Sequence, residues 1–311
     1  MCTARHSSVI QRELICKFVH LGYGRRSIKQ TEAGQVSFRI VARSIWGNPG
    51  NKGQYIKRTL RAIRWQLHKR TQKTPQTLRL ASGRWFRAYP DCVISSALQY
   101  ARWPEFVELK YCRSRLNRGD ILIDVGANVG HFSLLLSDIV DSEDILAFEP
   151  APSAFRRLGE NWELNDWTRK HLFNCAVGET EGTVFMANEN GPLTTNRVHV
   201  AERAGDIAVP IRSLDSFRHL WADRNIGLLK IDVEGYEPNV FAGSVATLSE
   251  DRPGLIMFES LGAAVNGRVA KYLRDADYVV FGLDQRGEPN FTKFVDQNLF
   301  ASPRELAGNL T

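Results

Sequence analysis

Ile121-Leu-Ile-Asp-Val-Gly-Ala-Asn-Val-Gly130 runs straight into His131-Phe-Ser-Leu-Leu-Leu-Ser137, and how this stretch is read decides the fold. Ile121 to Ile123 is a short aliphatic, β-branched run, and Phe132, Leu135 and Leu136 recur at helical spacing. Together they predict a buried strand, a glycine turn and a helix start. Gly126 and Gly130 permit a tight turn and a close backbone approach to a ligand, because no Cβ stands in the way. The first N–H groups of the helix lack intrahelical partners and would point at whatever lies over the turn.

Further along, Leu146-Ala-Phe-Glu149 reads as a second strand tipped by an acid, 25 residues beyond Asp124. In open α/β sheets a ligand lies across the carboxyl ends of the strands, and an acid at the second tip accepts ribose hydroxyls. A nucleoside ligand follows from this pair. The turn is Gly126-x-Asn128-x-Gly130, not the G-x-G-x-x-G that cradles a pyrophosphate. Asp124 beside it would repel a diphosphate and attract a sulfonium carrying an amino-acid tail. S-adenosylmethionine fits both demands. Glycine turns are common in βα units; Asp124 before this one and Glu149 after it are what favour a ligand over a plain loop.

Strands and helices alternate from Ile121 onward, which predicts an α/β fold with a mostly parallel sheet. His171–Val177 is expected as the third strand, Ile226–Ile231 as the fourth, ending at Asp232-Val-Glu-Gly235, and Leu255–Phe258 as the fifth, tipped by Glu259. Helices are expected over Pro152–Asn165, from Pro238 to about Leu248, and over Val269–Asp275. Gly182–Met186 reads as a short antiparallel addition, Asn188–Gly205 as a polar loop shaping a pocket, and Tyr278–Leu283 with Phe291–Val295 as a closing pair of strands.

Upstream, residues 1–34 read as a flexible tail and 35–90 as a basic extension, with the main domain over 91–311. The Val36/Phe38/Ile40 alternation suggests a short strand. Tyr55–Gln72 reads as an amphipathic helix whose stripe of Ile56, Leu60, Ile63 and Leu67 is set among Lys57, Arg58, Arg61, Arg64, Lys69 and Arg70. Such a helix either lies on a membrane surface or docks by its stripe on an acidic domain, and docking is the expectation. Leu78–Leu80 and Trp85-Phe86 around Ser82-Gly83 suggest a hairpin. Asp91–Leu116 is helical in composition, broken near Pro104.

The 311 residues accommodate one large domain plus an extension. The net charge of +7 is unevenly spread: residues 1–85 hold 18 Lys and Arg against Glu13 and Glu32, whereas residues 86–311 hold 23 against 32 acids. A basic segment of this kind meets nucleic acid, anionic lipid, an acidic substrate or the acidic domain itself. No run of about 18 apolar residues predicts a membrane-spanning helix, and charges interrupt the N-terminal apolar residues, so no secretory signal is expected. Five scattered cysteines without C-x-x-C spacing suggest a cytoplasmic protein with no zinc site.

Asp124-Val-Gly-Ala-Asn-Val-Gly130, Ala147-Phe-Glu-Pro150, Asn174-Cys-Ala-Val-Gly178, Ser213-Leu-Asp215 and Leu229-Lys-Ile-Asp-Val-Glu-Gly235 together resemble the FkbM family, with the match spanning roughly Asp91 to Glu259. The resemblance implies S-adenosylmethionine-dependent methyltransferases of the class I fold: a Rossmann-like, seven-stranded, mostly parallel sheet with helices on both faces and an antiparallel last strand. It also implies methyl transfer to a hydroxyl oxygen of a sugar, polyketide or other small molecule.

On that reading the turn of Gly126, Ala127, Asn128 and Gly130, with Asp124, holds the methionine part of the cofactor. His131 reaches its carboxylate or is simply a first-turn residue. Glu149 and Pro150 take the ribose, and Asn174, Cys175 and Ala176 flank the adenine. Asp232 and Glu234, at the end of a buried strand, are the candidate general base for the acceptor hydroxyl, with Lys230 two residues away on the same face. Glu234 capping the next helix, or holding Lys230, is the structural alternative. Asp232 and Glu259 from adjacent strands could instead clamp Mg²⁺, but no metal is expected. His199 is more simply an incidental loop histidine than a base.

The expected partner is a small-molecule hydroxyl acceptor rather than nucleic acid, with peripheral membrane contact through 55–72 the other use of the basic helix. An RNA or anionic-carrier methyltransferase, a dinucleotide-dependent oxidoreductase and a cofactor-binding protein without turnover are the alternatives. Sequence gives no oligomeric state.

Overall fold

A computed structural model describes residues 38–187, 198–260, 263–292 and 298–307. The expected tail therefore lies outside the described residues, as do residues 188–197 of the expected polar loop.

The described chain begins with helix α1 (Phe38–Trp46), not the strand that alternation suggested. Val41 and Ile45 are packed into the core there, which a helical period achieves as well as a strand period over so short a run. Helix α2 (Tyr55–Thr71) forms as expected but is turned over: it buries Arg58, Ala62, Trp65 and His68 and leaves Ile56, Leu60, Ile63 and Leu67 exposed. Trp65 decides this. Its indole is the largest apolar surface on the helix, and its Nε1–H donates to Ser96 Oγ at 3.0 Å.

Strands β1 (Gln76–Arg79) and β2 (Trp85–Ala88) form the expected antiparallel hairpin. Helices α3 (Val93–Tyr100) and α4 (Phe106–Arg115) follow, broken around Pro104. Strand β3 (Ile121–Val125) is wholly buried, as a strand covered on both faces should be. It leads to α5 (His131–Leu136), β4 (Ile145–Phe148), α6 (Pro152–Glu163), β5 (Leu172–Phe173) and β6 (Ala176–Val177). The predicted third strand is thus two short ones that belong to different sheets. Then come β7 (Gly182–Met186), β8 (Val198–His199) and β9 (Ile207–Arg212), the last not anticipated. Strand β10 (Ile226–Ile231) precedes α7 (Glu237–Ala242), which is shorter than expected and followed by a separate wide turn of helix over Thr247–Asp251. The chain closes with β11 (Ile256–Glu259), α8 (Ala263–Asp275), β12 (Tyr278–Leu283), β13 (Pro289–Asn290), β14 (Asn298–Pro303) and α9 (Arg304–Ala307).

The main sheet runs β13-β12-β14-β11-β10-β3-β4-β5. Strands β5, β4, β3, β10 and β11 are parallel, and β14 is antiparallel to both β11 and β12. The order thus reverses between β3 and β10, where an open sheet offers its ligand crevice. Residues 293–295 of the closing strand expected at Phe291–Val295 lie outside the described residues; β14 enters the sheet between β11 and β12. The eighth strand is the two-residue β13. A second sheet, β6-β9-β7-β8, branches off beside β5.

Each face of the main sheet buries its own core. Leu122, Ala147, Leu228 and Met257 point to one side, with Phe132, Leu158 and Trp162; the same cluster takes in Ile45, Trp65, Leu78 and Phe86 from the N-terminal segment. Ile121, Ile123, Val125, Phe148, Leu229, Ile231 and Phe258 point to the other side, under Phe217, Val240 and Phe241. Among the described residues, no helix is long and apolar enough to cross a membrane.

Candidate active site

The strand register sets the site. Asp124 of β3 pairs with Lys230 of β10, on the face that otherwise carries Leu122 and Leu228. A charge facing inward must find a partner, and Lys230 Nζ lies 2.9 Å from Asp124 Oδ1. Lys230 is 2% exposed and Asp124 0%. Ser133 Oγ donates to the other Asp124 oxygen at 2.7 Å, and Lys230 Nζ also donates to the Gly126 carbonyl at 3.3 Å. Burial alone would lower the Lys230 pKa, but Asp124 and Asp232 outweigh it and hold the ammonium charged. Asp124 and Lys230 therefore satisfy each other inside the sheet. Sequence reasoning missed Ser133; its position nine residues after Asp124, one turn into α5, was the available signal.

The glycine turn is explained by protein contacts. Gly126 has φ +78°, and a Cβ there would sit 2.0 Å from the carbonyl oxygen of Asp232. At Gly130, φ +79°, a Cβ would meet Leu158 and Trp162 at 2.5 Å. The room expected for a ligand is filled by β10's exit and by α6. Asn128 also takes a left-handed φ of 52°, and this aims its N–H at Glu149 Oε2, 2.8 Å away. Glu149 Oε1 accepts from Ala151 N at 2.8 Å. Burial pushes the Glu149 carboxyl up to about 7, against those two N–H donors, which favour its charged form. Each oxygen keeps a second lone pair free to accept a further hydrogen bond.

Two buried polar atoms beside this turn, Asn128 Oδ1 and His131 Nδ1, make no hydrogen bond. Buried polar atoms are normally paired, so a polar ligand over the turn fits the residues present. His131 is buried rather than an exposed first-turn residue, and burial foremost lowers its pKa. A neutral imidazole here can donate to a carboxylate. Asn174 Nδ2 donates to the carbonyls of Glu149 and Pro150, at 2.8 and 3.1 Å, and so fixes the tip of β4. Cys175 and Ala176 are buried at the start of β6, and burial pushes the Cys175 thiol up to about 11.

Across the crevice, Asp232 follows β10, and its side chain is 40% exposed, 3.7 Å from Lys230 Nζ. Carboxylate oxygens of Asp232, Glu234 and Glu259 all lie within 4.8 Å of one another. Glu234 has a left-handed φ of 55°. The turn that carries it is held by Glu237, whose Oε1 accepts from Val233 N at 3.2 Å and Gly235 N at 3.1 Å. Glu237, fully buried, was not anticipated; its carboxylate ties down the turn that precedes α7. His199 Nε2 lies 2.6 Å from Asp206 Oδ2, outside this carboxylate group.

Two other motifs have structural explanations. Asp215 accepts from Ala246 N, Thr247 N and Thr247 Oγ1 at 2.7–2.9 Å. A Cβ at Gly243 would lie 1.9 Å from the Gly178 carbonyl, so the two chains touch there.

A doubly wound sheet with an antiparallel strand inserted near one edge, a glycine turn after its central strand and an acid at the next tip define a Rossmann-like methyltransferase architecture. Residues 124–280, half of the chain, match the methyltransferase FkbM domain, and the chain belongs to that family. It is an S-adenosylmethionine-dependent methyltransferase, which sets aside the dinucleotide-dependent oxidoreductase.

Similar proteins include "Methyltransferase 1" of Beauveria bassiana, 25% identical over 51% of this chain and 72% of its own length. The hexuronic acid methyltransferase AglP of Haloferax volcanii is 24% identical over 52% and 70%. The 31-O-demethyl-FK506 methyltransferase of Streptomyces tacrolimicus is 28% identical over 54% and 75%. An O-methyltransferase structure from Thermotoga maritima superposes with a TM-score of 0.37 at 12% identity, covering 73% of this chain and 77% of its own.

Proposed function

We propose that the chain methylates a hydroxyl oxygen of a small, sugar- or polyketide-like molecule, with Asp232 as the general base. The observation that carries this is the half-exposed Asp232 carboxylate at the end of β10, across the strand-order reversal from Glu149. Relatives named for a hexuronic acid and for a demethylated FK506 oxygen support the acceptor class.

When bound, S-adenosylmethionine supplies the methyl group, and the chain's work is placement and proton removal. Asn128 Oδ1 and His131 Nδ1, which have no protein partner, would hold the amino-acid part, and Glu149 the ribose. Asp232 accepts the hydroxyl proton as the oxygen becomes nucleophilic. Lys230 stays protonated and holds Asp232 and Asp124 in place without touching the acceptor.

The trio Asp232, Glu234 and Glu259 supports a second reading, in which Mg²⁺ binds there and lowers the hydroxyl pKa instead. Asp232→Asn should reduce kcat at least about 100-fold while leaving S-adenosylhomocysteine affinity unchanged by calorimetry. Chelation decides between base and metal. Activity unaffected by EDTA assigns the base; activity lost and restored by Mg²⁺ assigns the ion. The acceptor is sought as a product one CH₂ heavier in extract supplied with the donor, and failure to form one with any glycoside, uronic acid or polyketide would overturn the acceptor class.

A further inference from the structure

The orientation of α2 leaves one apolar surface unexplained. Ile56, Leu60, Ile63 and Leu67 are 70%, 52%, 52% and 55% exposed. At 100° per residue they fall within about 60° of arc, centred about 180° from the buried Trp65. An aliphatic ridge over three turns, directed away from the core and covered by none of the described residues, is unusual on a protein surface. Exposed Lys57 and Arg64 flank it on one side and Arg70 on the other. Trp46, 48% exposed, stacks on Tyr55 at the head of the helix.

Charge selects the occupant. Between Phe38 and Pro90 there are 13 Lys and Arg and no acid. A second copy meeting this face by its own α2 would set Lys57, Arg64 and Arg70 against themselves. Nucleic acid satisfies the charge but gives four aliphatic side chains nothing to enter. A protein partner would need a groove for a convex ridge. An anionic lipid surface satisfies both properties at once: aliphatic side chains enter the acyl boundary while the flanking cations stay among the headgroups.

We propose that α2 is an interfacial helix that seats the enzyme on anionic membranes through Ile56, Leu60, Ile63 and Leu67. This does not depend on the identity of the acceptor. It reverses the sequence-based expectation that the stripe docks on the chain's own domain.

The test is co-sedimentation of the full-length protein with sucrose-loaded vesicles of phosphatidylcholine alone or with 30% phosphatidylglycerol. The expected result is at least tenfold stronger binding to the anionic vesicles. Leu60→Gln/Leu67→Gln should weaken it at least tenfold, and Lys57→Gln/Arg64→Gln severalfold. All four side chains are exposed, so both variants should keep the wild-type circular dichroism and S-adenosylhomocysteine affinity. Equal binding to both vesicle types, no binding, or binding unmoved by the leucine substitutions would overturn the proposal. So would a dimer in sedimentation equilibrium that the leucine substitutions dissolve, which would give the face to a second copy. Tight binding to poly(U) RNA unaffected by those substitutions, without vesicle binding, would give it to nucleic acid.

Discussion

At the scale of the residue, the Lys230–Asp124 pair shows why position in a motif does not reveal function. Both were candidates for direct contact with reactants, yet both are sealed in the sheet. Removing one member of a buried ion pair leaves an uncompensated charge and costs about 3–5 kcal/mol, whereas replacing both is far milder. Lys230→Met should therefore lower stability by about that amount in urea denaturation. Asp124→Asn/Lys230→Met should recover most of the loss, a coupling that a purely catalytic lysine would not show. Glu149 yields a second residue-level outcome. If it holds the ribose, it accepts hydrogen bonds from both hydroxyls best when ionised, and burial raises its pKa to about 7. Protonation removes an acceptor, so S-adenosylhomocysteine affinity should fall as pH is lowered, by about tenfold between pH 8 and pH 6. Glu149→Ala should bind weakly at both pH values. A flat calorimetric profile for the wild type would show that Glu149 does not hold the ribose.

At the scale of the element, the βα turn after β3 is a joint between strands, closed on the exit of β10. Gly126→Ala combines a left-handed backbone, about 1–2 kcal/mol for a residue with a Cβ, with a collision at 2.0 Å against the Asp232 carbonyl. Gly119 is the natural control, since it has φ +90° and open space around its missing Cβ. Gly119→Ala should lower Tm by only the strain, with cofactor binding intact. Gly126→Ala should lower it further and abolish S-adenosylhomocysteine binding in calorimetry, because β3 and β10 cannot both keep their ends. Equal effects of the two would make the turn merely a turn. The strand–turn–helix unit itself was legible in sequence because β3 is apolar on both faces and α5 has a clear period. What filled the space at Gly126 was not, since Asp232 arrives from more than a hundred residues away. The same limit hid the split of His171–Val177 between two sheets: the break falls at Asn174, whose side chain is drawn back to the β4 tip. The wrong face assigned to α2 has a different cause. Its aliphatic stripe was read as the docking face, but one indole with a hydrogen-bond partner outweighed four aliphatic side chains.

At the scale of the whole molecule, the basic segment and the catalytic sheet are joined more closely than charge asymmetry suggested. The sequence reading sets the basic extension at 35–90, apart from a main domain over 91–311. Packing draws no line there. Phe86 is fully buried in the cluster that holds Phe132, Leu135 and Leu158. Backbone groups of β2 are read by α6: Asn161 accepts from Arg87 N at 2.7 Å, and Asn165 both accepts from Trp85 N and donates to its carbonyl. Asn161 also donates to the Val129 carbonyl, inside the glycine turn, at 2.9 Å. One side chain thus links the hairpin to the glycine turn. Phe86→Ala removes a ring from this interface and should cost about 3–5 kcal/mol. If 38–90 were an appended domain, that loss would appear as a separate early transition, with the main unfolding and cofactor binding unchanged. The expected result is one cooperative transition shifted to lower temperature in calorimetry, accompanied by weaker S-adenosylhomocysteine binding as the Asn161 bridge to the turn loosens.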